Sequence, residues 1–307
     1  MTLTEPEAPA SRTEEEPQAA EEPGPAPGTA AREFSPSRLS AADVLTLGNA
    51  VCGFASIYFI TTAVLVPYLT DGHGGDGSVR QGAATAVMLI LMASLFDLCD
   101  GLVARRFRSS GMGAELDNLS DLVSFGLAPA YFVLVWGLVT EDAQLRLVVA
   151  AAVAVLLGGL LRLARFSVTT MTDGMFQGMP IPFAALTVVS VVLLELPFTV
   201  TLIAVLGVAY LMVSRIEYPK PTGRLATATM AWAAVNIGCL VAWAADAPGA
   251  ETLLVTGCGL QLTLAAVLPL FAAGRRITKV RGREGRGTAA GEATAPATRV
   301  TSPRKPS

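Results

Sequence analysis

Charge is scarce in this chain. Asp, Glu, Lys and Arg make up only 15% of the 307 residues, 52% are hydrophobic, and mean hydropathy is +0.53. That balance excludes a water-soluble globular protein, and it turns a length that would otherwise suggest two domains into a single membrane-embedded body. Histidine is almost absent: the only one, His73, sits in the Gly-rich stretch DGHGGDGS, so a route through a histidine nucleophile is excluded. Cys52, Cys99, Cys239 and Cys258 stand singly in apolar segments with no CxxC pair, which excludes a disulfide framework and a zinc site. A basic start running directly into an apolar core is also missing, so the first residues do not read as a signal peptide.

What charge there is lies unevenly. The first forty residues hold eight Glu against three Arg, and the last thirty-three hold nine Lys or Arg against two Glu. Residues 1–40, rich in Pro, Ala and Glu, cannot bury enough apolar surface to offset ordering, and the same holds for 275–307; both are expected to be disordered tails flanking a transmembrane body over 41–274. The early basic cluster of the second tail suits anionic headgroups or serves only to orient the last helix, and no nucleic-acid partner is expected.

Eight apolar spans fall between the tails, at about 43–68, 81–105, 116–139, 144–163, 180–196, 198–214, 226–245 and 252–273, the fifth and sixth separated by a turn at Leu196-Pro197. The expected fold is therefore an all-α integral membrane protein of about eight transmembrane helices. With eight spans both termini share one side. Of the 22 Lys and Arg, only Arg80 and Arg146 fall on the other, so both termini are expected in the cytoplasm and the protein in the cell membrane.

Against that background the stretch FDLCDGLVARRFRSSGMGAELDNLSD carries Asp97, Asp100, Asp117 and Asp121. Four unpaired carboxylates at bilayer depth would cost on the order of 10 kcal/mol. Helical spacing puts Asp97 and Asp100 on one face of their helix and Asp117 and Asp121 on one face of the next. Two helices joined by a short basic turn can then point four carboxylates at one another, and cations must sit among them. Hard oxygen ligands select Mg2+, Mn2+ or Ca2+, and carboxylate-held Mg2+ leaves positions for phosphate oxygens. A pair of ions gripping a phosphate-bearing substrate follows, at the cytoplasmic end of the second and third spans. Gly101 and Gly113 allow close approach of a ligand, and Arg105, one turn beyond Gly101, offers a guanidinium fork for phosphate. The competing reading of the aspartates is an ion or proton pathway.

The pattern Asp97-Leu-Cys-Asp100-Gly101-Leu-Val-Ala104-Arg105, seven residues, then Gly113-Ala-Glu-Leu-Asp117-Asn-Leu-Ser-Asp121 resembles the full signature of the CDP-alcohol phosphatidyltransferase family. The resemblance implies a six-helix membrane core, usually a homodimer, that transfers a phosphatidyl or related group from a CDP-linked lipid to an alcohol and releases CMP. It further implies two Mg2+ or Mn2+ ions on Asp97, Asp100 and Asp117, with Asp121 as fourth carboxylate and general base. Gly101, Ala104, Arg105 and Gly113 correspond to the cradle for the CDP moiety. Outside the signature, LTLGNAVCGFASI, RLARFSV, FQGMPIPFAA and LMVSRIEYPK are similar to the serine-accepting members, which implies CDP-diacylglycerol and L-serine as substrates. Glycerol 3-phosphate or inositol phosphate is the alternative acceptor within the family. Asn118 departs from the Ser expected there.

An L-serine pocket needs a cation for the carboxylate. Arg162, Arg165 and Arg215 are available, and each could equally hold lipid phosphate or anchor a helix end. Gly178 and Pro180, in QGMPIP, either wall that pocket with irregular backbone or simply start a helix. Asn49, in the first span, either reaches the cytidine or pairs between helices.

Overall fold

The computed structural model describes residues 40–71, 76–106, 112–141, 143–168, 176–218, 224–268 and 270. The expected tails, except Ser40 at the end of the first, together with residues 72–75, which include His73, and the segment 107–111 lie outside the described residues. All described residues belong to one compact unit, Arg38–Ser307.

Among the described residues ten helices carry the fold: α1 Ala41–Ile60, α2 Val66–Asp71, α3 Asp76–Arg106, α4 Gly113–Asp121, α5 Ala128–Val139, α6 Leu145–Val168, α7 Ile181–Leu193, α8 Phe198–Val213, α9 Arg224–Ala244 and α10 Ala250–Leu268. The first two run on through a π-helical turn, Thr61–Leu65, and α4 and α5 through another, Leu122–Leu127. Each of the eight expected spans is thus helix over most of its described residues. Among the described residues, five of the resulting segments are long and apolar enough to cross a membrane, and three shorter apolar helices accompany them. The protein is an all-α integral membrane protein; its only β structure among the described residues is a two-residue antiparallel ladder, Phe176–Gln177 on Glu217–Tyr218.

Both π turns have the same local cause. Pro67 and Pro129 each follow two residues after the widened turn, and each lacks the N–H that would bond the carbonyl four residues back. Those carbonyls, on Ala63 and Phe125, lie inside the two π turns, where the hydrogen-bond ladder shifts register.

The helices are amphipathic in reverse. On α1 the exposed stripe is Val44, Leu47, Val51, Phe54 and Tyr58, while Thr46, Asn49, Gly53 and Ser56 are buried on the opposite side. Lipid is as apolar as leucine, so helix association here rests on close contact between small residues and on interhelical hydrogen bonds. Ser40 opens α1 with a reciprocal cap to Asp43, at 3.2 and 2.8 Å. The helix then packs along α3, with Ser56 Oγ donating to the Ala86 carbonyl at 3.1 Å.

Helix α7 spans only about 20 Å at 1.5 Å per residue, less than the hydrocarbon core of about 30 Å. Most of it is buried, at Ile181, Ala184, Ala185 and every residue from Thr187 to Val192, so protein more than lipid surrounds it. With Phe125, Val133, Val155, Val205 and Met212 it forms the centre of the core.

Candidate metal centre at the α1, α3 and α4 junction

Asp97 and Asp100 sit in the last turns of α3, and Asp117 and Asp121 on one face of α4. Carboxylate oxygens of Asp97, Asp117 and Asp121 converge, all within 4.8 Å of one another. Asp121 is buried, and Asp97 and Asp117 are half-buried. Asp100, also buried, lies beside this trio and is close enough to add its charge at Asp97 and Asp117. Its carboxylate takes a hydrogen bond from Thr46 Oγ1 at 2.8 Å and one from the Gly101 backbone. The carboxylates from two helices therefore do face one another, as their spacing predicts.

The donor set fits a divalent cation. All its ligand atoms are hard oxygens, Asp117 Oδ1 is buried without a hydrogen-bond partner among the described residues, and mutual repulsion would otherwise drive the group apart.

Helix α1 forms the third wall. Asn49, fully buried, donates from Nδ2 to Asp121 Oδ1 at 3.1 Å, so it pairs between helices. Ser124 Oγ, one turn beyond Asp121, donates to the Asn49 carbonyl at 2.8 Å. Gly53 makes this approach possible: a Cβ there would lie 2.6 Å from Ser124 Cα and 2.3 Å from its Oγ. Thr46 and Ser124 were not legible as site residues in the sequence. The available signal was the polar series Thr46, Asn49, Gly53, Ser56 at helical spacing on an otherwise apolar span.

The arginines separate. Arg162 on α6 is half-buried, its charge acts on Asp121 and Asp97, and its Nε has no hydrogen-bond partner among the described residues. Arg165 donates from Nη1 to the Val213 carbonyl at 2.9 Å, tying α6 to the end of α8. Arg215 is exposed beyond that end. Asn118 turns from the centre and donates to Ser167 Oγ at 3.1 Å.

Gly178 and Pro180 build a helix start. Gly178 is at φ +78, with its N–H on the Ile216 carbonyl at 2.8 Å; a Cβ would meet Met212 O at 2.4 Å. The next N–H, of Met179, bonds the Leu211 carbonyl, and Pro180 caps α7. Gly101 is half-buried on α3 and Gly113 is the first residue of α4. Ala104 and Arg105 continue α3, with side chains outside the described residues.

Comparison with known proteins bears on the same region. The family described as CDP-alcohol phosphatidyltransferase matches residues 39–235. An archaetidylserine synthase of Methanothermobacter thermautotrophicus is 37% identical over 188 residues, covering 59% of this chain and 70% of the relative. A CDP-diacylglycerol–serine O-phosphatidyltransferase of Bacillus subtilis is 31% identical over 179 residues, covering 57% and 88%. One of the same name from Methanocaldococcus jannaschii is 40% identical over 133 residues, covering 43% and 62%, so the chain spans under two thirds of that relative. The match takes in α1 through most of α9, and with it every helix that supplies the carboxylate centre. A family that is metal-dependent in general and an aspartate cluster built for a cation thus coincide in one place, and the chain belongs to the CDP-alcohol phosphatidyltransferase family.

Proposed function

We propose that this protein transfers the phosphatidyl group of CDP-diacylglycerol to the hydroxyl of L-serine and releases CMP. The observation that carries the reading is the convergence of Asp97, Asp117 and Asp121 within 4.8 Å at the membrane-embedded junction of α3 and α4. The names of the relatives, which agree on serine, support the choice of acceptor.

Asp97, Asp100, Asp117 and Asp121 would hold two ions, Mg2+ or Mn2+. Such ions, when bound, stabilise negative charge on the diphosphate and on departing CMP. Gly101, Ala104, Arg105 and Gly113 would cradle the CDP moiety. The serine Oγ attacks the phosphorus that bears the diacylglycerol, a new P–O bond forms, and the bond to the CMP oxygen breaks. Asp121 accepts the serine proton, and its buried place against Asn49 keeps it oriented for that transfer. Arg162 is near enough for its charge to act on Asp121 and Asp97, and we assign it to the serine carboxylate or the lipid phosphate. Arg165 and Arg215 serve the helix ends. The protein would work as a homodimer in the cytoplasmic membrane, with termini and site on the cytoplasmic side. The diacylglycerol tails would remain in lipid while serine and CMP exchange with water.

The test offers purified protein CDP-diacylglycerol and Mn2+ or Mg2+ with labelled serine, glycerol 3-phosphate or inositol phosphate in separate reactions. CMP release with serine alone is expected. Release with another acceptor moves the protein elsewhere in its family, and no release with any of them removes the reaction. The ether-linked CDP-lipid belongs in the same assay, because one relative is named for archaetidylserine.

A further inference from the structure

Three carboxylates converge at the centre with Asp100 beside them, yet the four are not held alike. Thr46 Oγ1 lies 2.8 Å from Asp100 Oδ2, and Asn49 Nδ2 lies 3.1 Å from Asp121 Oδ1. Thr46 and Asn49 are three residues apart on the buried face of α1, and one reaches α3 while the other reaches α4. Asp117 Oδ1, by contrast, is buried without a donor among the described residues. We propose that Thr46 and Asn49 are positioning residues: a hydrogen-bonded bracket on α1 that holds Asp100 through Oδ2 and Asp121 through Oδ1 and so orients both carboxylates toward a cation.

The chemistry of the two donors suits that task. A lysine or arginine in the same place would neutralise a carboxylate and compete with the metal. A hydroxyl and an amide orient the carboxylate through partial charges and add no net charge to the site. Thr46 has one hydroxyl proton and two acceptors in reach, the Ala42 carbonyl at 3.0 Å and Asp100 at 2.8 Å. An ionised carboxylate is the stronger acceptor, so the proton goes to Asp100. Asn49 must present its amide N–H to Asp121, since its carbonyl oxygen would repel the carboxylate. The bracket is itself held in register by the Ser124 hydrogen bond to the Asn49 carbonyl and by the Gly53 contact with Ser124.

This inference rests on the carboxylates binding divalent metal, as proposed above, and a binding readout separates it from the transfer reaction. Mn2+ binding to the full chain in nanodiscs is measured by electron paramagnetic resonance for wild type, Thr46→Val, Thr46→Ser and Asn49→Leu, alongside the CDP-diacylglycerol KM. Loss of such a partner weakens metal affinity about 10- to 100-fold. Thr46→Val and Asn49→Leu are expected to show that loss, and Thr46→Ser, which keeps the hydroxyl, is expected to bind like wild type. Should Thr46→Val not yield monodisperse protein, Thr46→Cys, of similar size and a weaker donor, has to fall between Ser and wild-type behaviour on one side and full loss on the other. Unchanged Mn2+ affinity in Thr46→Val, or a raised lipid KM with unchanged Mn2+ affinity, overturns the bracket. Wild-type protein that binds Mn2+ but transfers to no acceptor leaves the bracket standing and removes the proposed reaction instead.

Discussion

Asp121 concentrates the chemistry in one side chain. It is buried, shares the converging trio, accepts from Asn49 and feels the charge of Arg162. Asp121→Asn preserves size and removes the proton acceptor, so the protein is expected to fold as wild type and lose about 100- to 10,000-fold in kcat, the usual worth of a positioned base. The check is single-turnover CMP release with metal binding verified on the same sample; substantial retained turnover would take the base role away from Asp121. The four aspartates were legible because an ionised side chain at bilayer depth is expensive and needs a reason. Thr46 and Ser124 were not, because hydroxyl residues are common at membrane helix contacts and carry no charge to flag them. Sequence alone leaves the serine-carboxylate role open among three arginines, since it does not show that Arg165 donates from Nη1 to the Val213 carbonyl.

At the scale of helices, contact distance becomes the controlling quantity. Gly53 lets α1 and the turn after α4 touch backbone to side chain, and no rotamer change relieves a Cβ placed 2.6 Å from Ser124 Cα. Gly53→Ala is therefore expected to push the two helices apart, destabilise the protein by about 1–3 kcal/mol and loosen the site with it. A lowered unfolding midpoint together with weakened Mn2+ binding is the expected pair of results, and an unchanged midpoint would contradict the contact. A second element contact lies away from the site. Asn236 on α9 donates to Gln261 on α10 at 2.6 Å, and Gln261 Nε2 donates to Thr187 Oγ1 on α7 at 3.0 Å, all three side chains buried. Interhelical hydrogen bonds in bilayers average about 0.6 kcal/mol each, so Gln261→Leu is expected to shift the unfolding midpoint slightly and leave CMP release with serine near wild type. Hydropathy made the eight spans legible to within a few residues, because the bilayer demands apolar length. The two π turns escaped that reading, although Pro67 and Pro129 marked both places.

Taken as a whole, the molecule puts its polar features at opposite ends of the bundle. The carboxylate centre lies where α3 ends and α4 begins, while Arg80, near the start of α3, pairs with Asp246 at 2.9 Å and Glu251 at 3.4 Å beside the α9–α10 turn. Because α3 is long and apolar enough to span the bilayer, the proposed topology puts these two ends in different compartments. With the skew of Lys and Arg toward the carboxylate end, the proposed orientation puts that end in the cytoplasm, where CMP and a free amino acid would exchange. Glu141, exposed after α5, and Arg215, exposed after α8, then lie on opposite sides. In a chain with its four cysteines replaced by Ala, Glu141→Cys is expected to react with a membrane-impermeant maleimide in intact cells, and Arg215→Cys only after the membrane is opened. The reverse pattern would invert the orientation and bring the serine pocket to the outer face. Labelling of both in intact cells would instead mean that fewer helices cross than the eight the bundle provides.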